Sequence, residues 1–156
     1  MAFTVDLTGD VGIALPWDGG NKHFVIQKTV DFSVTANNLA NTATMGLFTI
    51  PGGVLVEEVI IRVDHLSDAD SDDINIGSYS TAGVAVDATG FGDHFTHYQT
   101  GQDGFCRDVA GQTYSLTDGT AGFVRATDWT LGIANDDTHT LDHGILTFIA
   151  ICKDLR

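Results

Sequence analysis

Four aspartates are crowded into one short stretch of the chain, HLSDADSDDINIG, at Asp68, Asp70, Asp72 and Asp73. Alternating carboxylates in a loop are suited to a hard cation such as calcium. The helix-loop-helix calcium motif also needs glycine at its sixth position and glutamate at its twelfth. Counted from Asp68, those positions hold Asp73 and Tyr79, so the motif fails. The stretch is interpreted as a solvated hairpin turn between two strands, with a calcium site of another kind as the alternative.

Two histidine pairs could bind a transition metal. His94 and His97 form HFTH, and His139 and His143 form HTLDH. A zinc site would need these two segments to meet in space, and on a strand His94 and His97 would point to opposite sides. We therefore expect ordinary surface histidines, and the alternative is a metal-dependent jelly-roll enzyme that uses all four.

No nucleophile has a recognisable activating context. The chain has no GxSxG elbow, and Cys106 and Cys152 lie far apart without a CxxC motif. We expect two free thiols, with Cys152 packed in the core because it belongs to the apolar run ILTFIAIC. The sequence therefore predicts no catalytic residue, no cofactor and no enzymatic activity.

Length and charge exclude several classes of protein. The 156 residues suit one domain, and the formal net charge of −14 would repel a phosphate backbone. No apolar run approaches the roughly 20 residues that span a bilayer. The N-terminus lacks a basic start followed by a long apolar stretch, so no secretory signal is predicted. We expect a protein made in a cytoplasm that binds neither nucleic acid nor membrane.

Composition favours strands over helices. The chain holds 19 aspartates against two glutamates, together with 19 threonines and 18 glycines. Aspartate and glycine favour turns, whereas β-branched residues favour strands. No segment has a sustained helical period with caps. The sequence therefore predicts an all-β protein.

The chain is predicted to consist of an N-terminal arm and a single domain. Residues 1–23 are predicted to form an extended N-terminal arm and loop, and residues 24–156 a β-sandwich. Within the sandwich, residues 90–111 carry aromatic residues and glycines without a steady period and are predicted to form a long surface loop. About eight strands with polar turns indicate an antiparallel β-sandwich of the jelly-roll type, and the alternative is an up-and-down barrel. The predicted strands are residues 24–35, 47–50, 54–66, INIGSYS, VAVDAT, QTYSLTD, GFVRATDWTLGIAND and GILTFIAICKDL.

The segment FTIPGGVLVEEVIIRV, the strands INIG and GVAVDAT, and the closing strand GILTFIAI together resemble the β-sandwich decoration (cement) proteins on the heads of tailed bacteriophages. The resemblance implies a homotrimer that is assembled in the host cytoplasm, sits on the capsid exterior of the virion and clamps neighbouring major capsid proteins. It also implies a capsid-binding arm, in which Phe3, Val5 and Leu7 would add a strand to a capsid subunit. The alternative is that residues 1–12 are a disordered tail or an edge strand of their own domain.

A binding module is the second functional hypothesis. The aromatic-rich residues 91–105, with Trp17 and Trp129 as stacking platforms, would suit a phage tail or fibre domain or a carbohydrate-binding β-sandwich.

Overall fold

Strands account for most of the described chain. The computed structural model describes residues 23–65, 73–92, 125–136 and 138–156, and the backbone alone of residues 5–6, 15–16, 93–95 and 104–107. A short 3-10 turn, Thr35–Asn37, accompanies the strands. The strands are β1 (Val5–Asp6), β2 (Leu15–Pro16), β3 (His23–Asp31), β4 (Thr44–Ile50), β5 (Val54–His65), β6 (Ile74–Ser80), β7 (Ala85–Phe95), β8 (Gly104–Arg107), β9 (Trp129–Asn135) and β10 (Ile145–Asp154).

The strands form two sheets whose order defines a jelly roll. Sheet A has the order β1-β4-β9-β6-β7, and sheet B has the order β2-β3-β10-β5-β8. The eight longer strands pair antiparallel in a nested way, β3 with β10, β4 with β9, β5 with β8 and β6 with β7. This nesting winds one long hairpin into two sheets, which is the jelly-roll topology. The predicted all-β jelly-roll sandwich is confirmed.

The alternative of an up-and-down barrel is wrong. In such a barrel, strands that follow one another along the chain are also neighbours in space. Here β3 and β4 lie in different sheets, and so do β4 and β5. The physical reason is that strands with one apolar face are buried by stacking two sheets rather than by closing one.

Alternation of residue types along β5 determines which side chains of sheet B point into the core. Val59, Ile61 and Val63 are buried, whereas Ile60 and Arg62 between them are partly exposed. Strand residues two apart share a face, so the buried row points toward sheet A. The predicted inward row of this strand is confirmed.

Glycines allow the two tight turns that the sequence predicts. Between β4 and β5, Gly53 adopts a positive φ of 80°, and the Val54 N–H donates to the carbonyl of Pro51 at 3.2 Å. Between β6 and β7, Gly83 has the same φ of 80°, and its N–H donates to the carbonyl of Ser80 at 2.9 Å. Glycine tolerates this left-handed conformation without a Cβ clash.

The core fills the space between the sheets with large side chains from both. Sheet A contributes Phe48, Leu131 and Trp129, and sheet B contributes Ile61 and Phe148, all of them buried. Each side chain of this size contributes roughly 1.5–3 kcal/mol by leaving water. Further residues of this buried cluster include Phe32, Met45, Leu47, Ile50, Val54, Ile74, Ile133, Leu146 and Cys152, so core packing of Cys152 is confirmed.

The first long strand ends earlier than predicted. β3 stops at Asp31 rather than at residue 35. The Asp31 carboxylate accepts hydrogen bonds from the backbone N–H and the hydroxyl of Ser33, and the N–H of Asn37 donates to the Val34 carbonyl at 2.7 Å. An aspartate side chain that bonds the backbone two residues on initiates a turn, and this local bonding overrides the alternation of the sequence.

The prediction of a continuous loop over residues 90–111 is wrong. β7 runs on to Phe95, and β8 occupies Gly104–Arg107 at the edge of sheet B, where Cys106 pairs with Ile61. An edge strand has one neighbour and needs no apolar alternation of its own, so a period-based reading misses it.

Candidate interaction surfaces

The first 16 residues contribute an edge strand to each sheet. β1 pairs in parallel with β4, with Val5 opposite Met45, and β2 pairs antiparallel with β3, with Leu15 opposite Val25. Of the predicted capsid-binding side chains, Val5 lies in β1, whereas Phe3 and Leu7 fall outside the described residues. The backbone at Val5 therefore pairs within its own domain, and binding of a capsid subunit by Phe3, Val5 and Leu7 stays a prediction.

The acidic stretch joins the two sheets. Asp68, Asp70 and Asp72 lie outside the described residues, and Asp73 directly precedes β6, where its carbonyl accepts from the N–H of Asp136 at 3.0 Å. The predicted hairpin turn is wrong, because β5 belongs to sheet B and β6 to sheet A. Within the described part of the chain, no group of three or more histidine, cysteine or acidic side chains is arranged to hold a metal ion.

The structure describes the side chains of one of the two predicted histidine pairs. His94 lies in β7 with its side chain outside the described residues, and His97 is also outside them. His139 and His143 are exposed, and His143 Nδ1 lies 2.7 Å from the Asp142 carboxylate. The exposure of His139 and His143 agrees with the expected surface histidines, and the alternative of a metal site made from both pairs involves residues outside the described ranges.

The buried thiol is not a nucleophile. Burial, with a smaller contribution from the Glu57 carboxylate, raises the pKa of Cys152 to about 12. The thiolate is the reactive form, and it is nearly absent at neutral pH.

Trp129 is not available as a stacking platform. Only 1% of its surface is exposed, and its ring stacks on Phe91 with centroids 6.1 Å apart and planes 5° from parallel. The prediction that this tryptophan binds a sugar is wrong, because it lies on the inward row of β9 with Leu131 and Ile133. Trp17 falls outside the described residues.

The outer face of sheet B carries a polar network that sequence reasoning missed. The Arg62 guanidinium donates two hydrogen bonds to the Asp64 carboxylate and a third to the Thr147 hydroxyl at 3.2 Å. Thr147 donates to Asp64, and its hydroxyl lies 2.7 Å from that of Thr29. Hydrogen bonds from Arg62 and then from Thr147 hold the pKa of Asp64 below its ordinary value, although desolvation opposes them. The network ties β3, β10 and β5 together across the sheet.

We expect Asp64→Asn to lower the free energy of unfolding by about 1 kcal/mol at neutral pH, the size of a good exposed charge pair with hydrogen bonds. A carboxylate with a depressed folded pKa stabilises the protein above its unfolded pKa of about 3.9, and the contribution disappears as pH falls through the lower folded value. Urea denaturation at several pH values should show that the difference in free energy of unfolding between wild type and variant becomes smaller in acid. A difference that stays constant with pH would contradict the assigned role of the charge.

Beside this network lies an apolar patch, here called the isoleucine face, which consists of Val25, Ile60, Ile149 and Ile151. All four side chains are partly exposed on the outer side of sheet B. Ile149 is opposite Ile60 on β5, and Ile151 is opposite Val25 on β3, so the four are contiguous. The signal was present in the run ILTFIAIC, which is apolar at both parities, whereas a strand with one solvated face alternates.

The outer face of sheet A is closed by the chain itself. A Cβ placed on Gly77 would lie 2.2 Å from the carbonyl oxygen of Asp87, because the backbone of β7 crosses directly over β6. On the neighbouring strand, a Cβ on Gly132 would lie 2.9 Å from the ring of Tyr79. Tyr79 and Thr130 are buried on this side. Glycine allows such close approach of backbone.

The jelly-roll sandwich is a fold shared with chains of bacteriophage capsid structures. No known protein family matches the sequence, and no curated protein matches it significantly. The chain is similar to one in the capsid of Ralstonia phage GP4, with a TM-score of 0.61, 15% identity and coverage of 92% of this chain and 91% of that one. It is also similar to a chain in the capsid asymmetric unit of cyanophage Pam1, with a TM-score of 0.58, 17% identity and coverage of 96% of each.

No helix in the described residues has the length and apolar character needed to cross a membrane.

Proposed function

We propose that this chain is a non-enzymatic structural protein of a bacteriophage virion, which decorates the capsid exterior as a homotrimer and clamps neighbouring major capsid proteins. One observation carries the proposal. The likeness to chains in two phage capsid structures extends over more than nine-tenths of this chain and of each of theirs. A match over nearly the whole sandwich supports a shared structural role rather than a shared local motif.

The chemistry of the described residues agrees with a structural role. The thiol of Cys152 is buried and protonated at neutral pH, and the acidic and histidine side chains of the described ranges form no metal-binding group. Strong acidity suits a protein that must associate with a shell and not with the nucleic acid inside it, since the charge of −14 repels phosphate. Many copies of one weak contact would stabilise a shell through their number.

The N-terminal residues are the proposed clamp. The described part of β1 is two residues long, and among the described strands it lies at the edge of sheet A and pairs with β4. A strand this short forms few hydrogen bonds with its own domain, so a capsid subunit with a free sheet edge could compete for residues such as Phe3, Val5 and Leu7.

Co-sedimentation with expanded capsids tests the proposal. Particles assembled from the major capsid protein of the same phage should bind the full chain stoichiometrically, and a cryo-electron microscopy map should place it on the outer surface. A chain lacking residues 1–12 should remain folded by circular dichroism and bind these particles at least about tenfold more weakly, the effect of losing roughly 1.4 kcal/mol of contact. A matched control keeps the length and replaces Thr4 and Thr8 by serine.

Failure of the full chain to bind expanded capsids would contradict the capsid role. Full binding by the truncated chain would contradict the clamp alone.

A further inference from the structure

We infer that the isoleucine face of sheet B is the surface through which copies of this chain associate. The inference rests on the self-association included in the proposed function, and it does not depend on the capsid role. It identifies which part of the sandwich one copy presents to the next.

The isoleucine face is an exception to the pattern of the fold. In a two-layer sandwich the outer side of each strand is usually polar, because it meets water. β10 instead places Ile145, Ile149 and Ile151 on its outer side, separated from the core row of Leu146, Phe148 and Ala150. Contiguous apolar surface on a folded chain marks an interaction site more often than scattered exposed residues do.

The two sheets differ in what lies over their outer sides. Sheet A is covered at its centre by the backbone of β7 above Gly77 and by the ring of Tyr79 above Gly132. Over sheet B no described strand provides a third layer, because every described strand belongs to sheet A or to sheet B. The partial exposure of Ile60, Ile149 and Ile151 agrees with a face that is open in the single chain.

Charge favours a second copy as the occupant. Two chains that each carry −14 repel one another unless they meet where charge is balanced. On the outer side of sheet B, Arg62 pairs with Asp64. At the end of the same sheet, His23 lies 3.3 Å from Glu57, and Lys153 is the cross-strand neighbour of His23. Glu58 lies opposite Ile151 on the same side of the sheet and adds a further carboxylate. Charges of both signs thus surround the apolar centre.

The outer side of sheet B is large enough for self-association. β3, β10, β5 and β8 lie side by side about 4.8 Å apart, and the nine residues from Ile145 to Lys153 rise about 3.3 Å each. The whole outer side, with the isoleucine face at its centre, therefore measures about 500 Å² per copy. Two copies would bury about 1,000 Å² together, the lower bound for a specific interface. An apolar centre with a polar rim, here the Arg62, Asp64 and Thr147 network, is the usual anatomy of such a contact.

Light scattering after size-exclusion chromatography tests the inference on the full chain. The wild type should elute as a species of more than one copy, and Ile149→Asp should elute as a monomer, with association weakened by about a hundredfold or more because a carboxylate would be buried at the centre of the contact. Val86→Asp is the matched control, since Val86 is 51% exposed on β7 of the other sheet and should leave the mass unchanged. Circular dichroism melts verify that each variant is folded.

A monomeric wild type would overturn the inference, and so would a multimeric Ile149→Asp. If Ile149→Asp fails to fold, the milder double variant Ile149→Thr, Ile151→Thr should still shift the mass toward the monomer. An unchanged mass would contradict association through the isoleucine face.

Binding of the same proteins to expanded capsids separates the two proposals. A monomeric wild type whose capsid binding is lost in Ile149→Asp would assign the face to a capsid subunit instead, whereas a multimer that dissociates in the variant but never binds capsids would keep this inference and contradict the capsid role.

Discussion

Replacing Trp129 by alanine should lower the free energy of unfolding by about 4 kcal/mol, the cost typical of removing a large buried aromatic side chain and leaving a cavity. Trp129 is 1% exposed and stacks on Phe91 at 6.1 Å, so its ring is part of the contact between β7, β9 and the core. Urea denaturation followed by far-ultraviolet circular dichroism gives the change directly. The free energy of unfolding of a protein of this size rarely exceeds about 15 kcal/mol, so the variant should have a melting temperature many degrees lower.

Trp129→Phe is the matched control for this prediction. The indole Nε1 is buried and has no hydrogen-bond partner among the described residues. Phenylalanine removes that unpaired donor while it keeps an aromatic ring against Phe91, so we expect a loss well below that of alanine. A similar loss for both variants would show that the volume of the second indole ring, and not stacking on Phe91, carries the stability. A negligible loss for alanine would contradict burial of the side chain.

Replacing Gly77 by alanine should cost about 3 kcal/mol, at the upper end of the range for overpacking a well-filled site. The added methyl group would lie 2.2 Å from the carbonyl oxygen of Asp87 and 2.3 Å from the carbonyl carbon of Ala88. Both atoms belong to backbone, so β7 would have to move away from β6 and loosen their pairing. Thermal denaturation should show the loss.

Gly132→Ala provides the comparison on the neighbouring strand. Its Cβ would meet the carbonyl oxygen of Met45 at 2.8 Å and the ring of Tyr79 at 2.9 Å. Both distances are longer than those at Gly77, and a ring yields more easily than backbone, so we expect about half the loss. Equal losses at both positions would contradict the crossing of β7 over Gly77 as the cause.

Period-2 alternation allowed most long strands to be predicted. The bounds of β6 coincide with the predicted INIGSYS, and the predicted end of β5 at residue 66 lies one residue beyond His65. Alternation is a property of neighbouring residues, and the turn chemistry of Pro51 and Gly53 is local as well. The corner between β4 and β5 was therefore predictable without knowledge of the rest of the chain.

Short edge strands were not predictable in this way. β8 is four residues long and β1 is two, and neither has enough positions to establish a period. The end of β7 is also an edge, where pairing with β6 shifts register repeatedly. Such strands form because a neighbour offers its hydrogen-bonding groups, which is tertiary information.

The burial of Trp129 could be predicted from the sequence. In WTLGIAN, Trp129, Leu131 and Ile133 share one parity, and Thr130, Gly132 and Ala134 share the other. This alternation predicts a buried tryptophan, and the interpretation as a sugar platform relied on residue type alone. The alternation along β9 was stronger evidence than the residue type of Trp129.

The sequence of β10 indicates two apolar sides but not which of them faces outward as the isoleucine face. Leu146, Phe148 and Ala150 alternate with Thr147, Ile149 and Ile151, so both sides of β10 read as apolar and neither is marked as the core side. Pairing of Ile149 with Ile60, opposite the buried row of Val59, Ile61 and Val63, decides which side points outward. A one-residue slip in this register would exchange the two faces.

Composition, turn residues and alternation indicate an acidic, helix-poor chain with about eight strands, because each of them acts over a few neighbouring positions. Long-range packing determined that β5 and β6 lie in different sheets, that Trp129 is buried against Phe91 and that the outer side of sheet B carries an apolar patch. These features depend on pairs such as β3 with β10, whose residues are more than a hundred positions apart. Contacts at that separation arise from the joint burial of many side chains, and no local pattern specifies which of two apolar faces is buried.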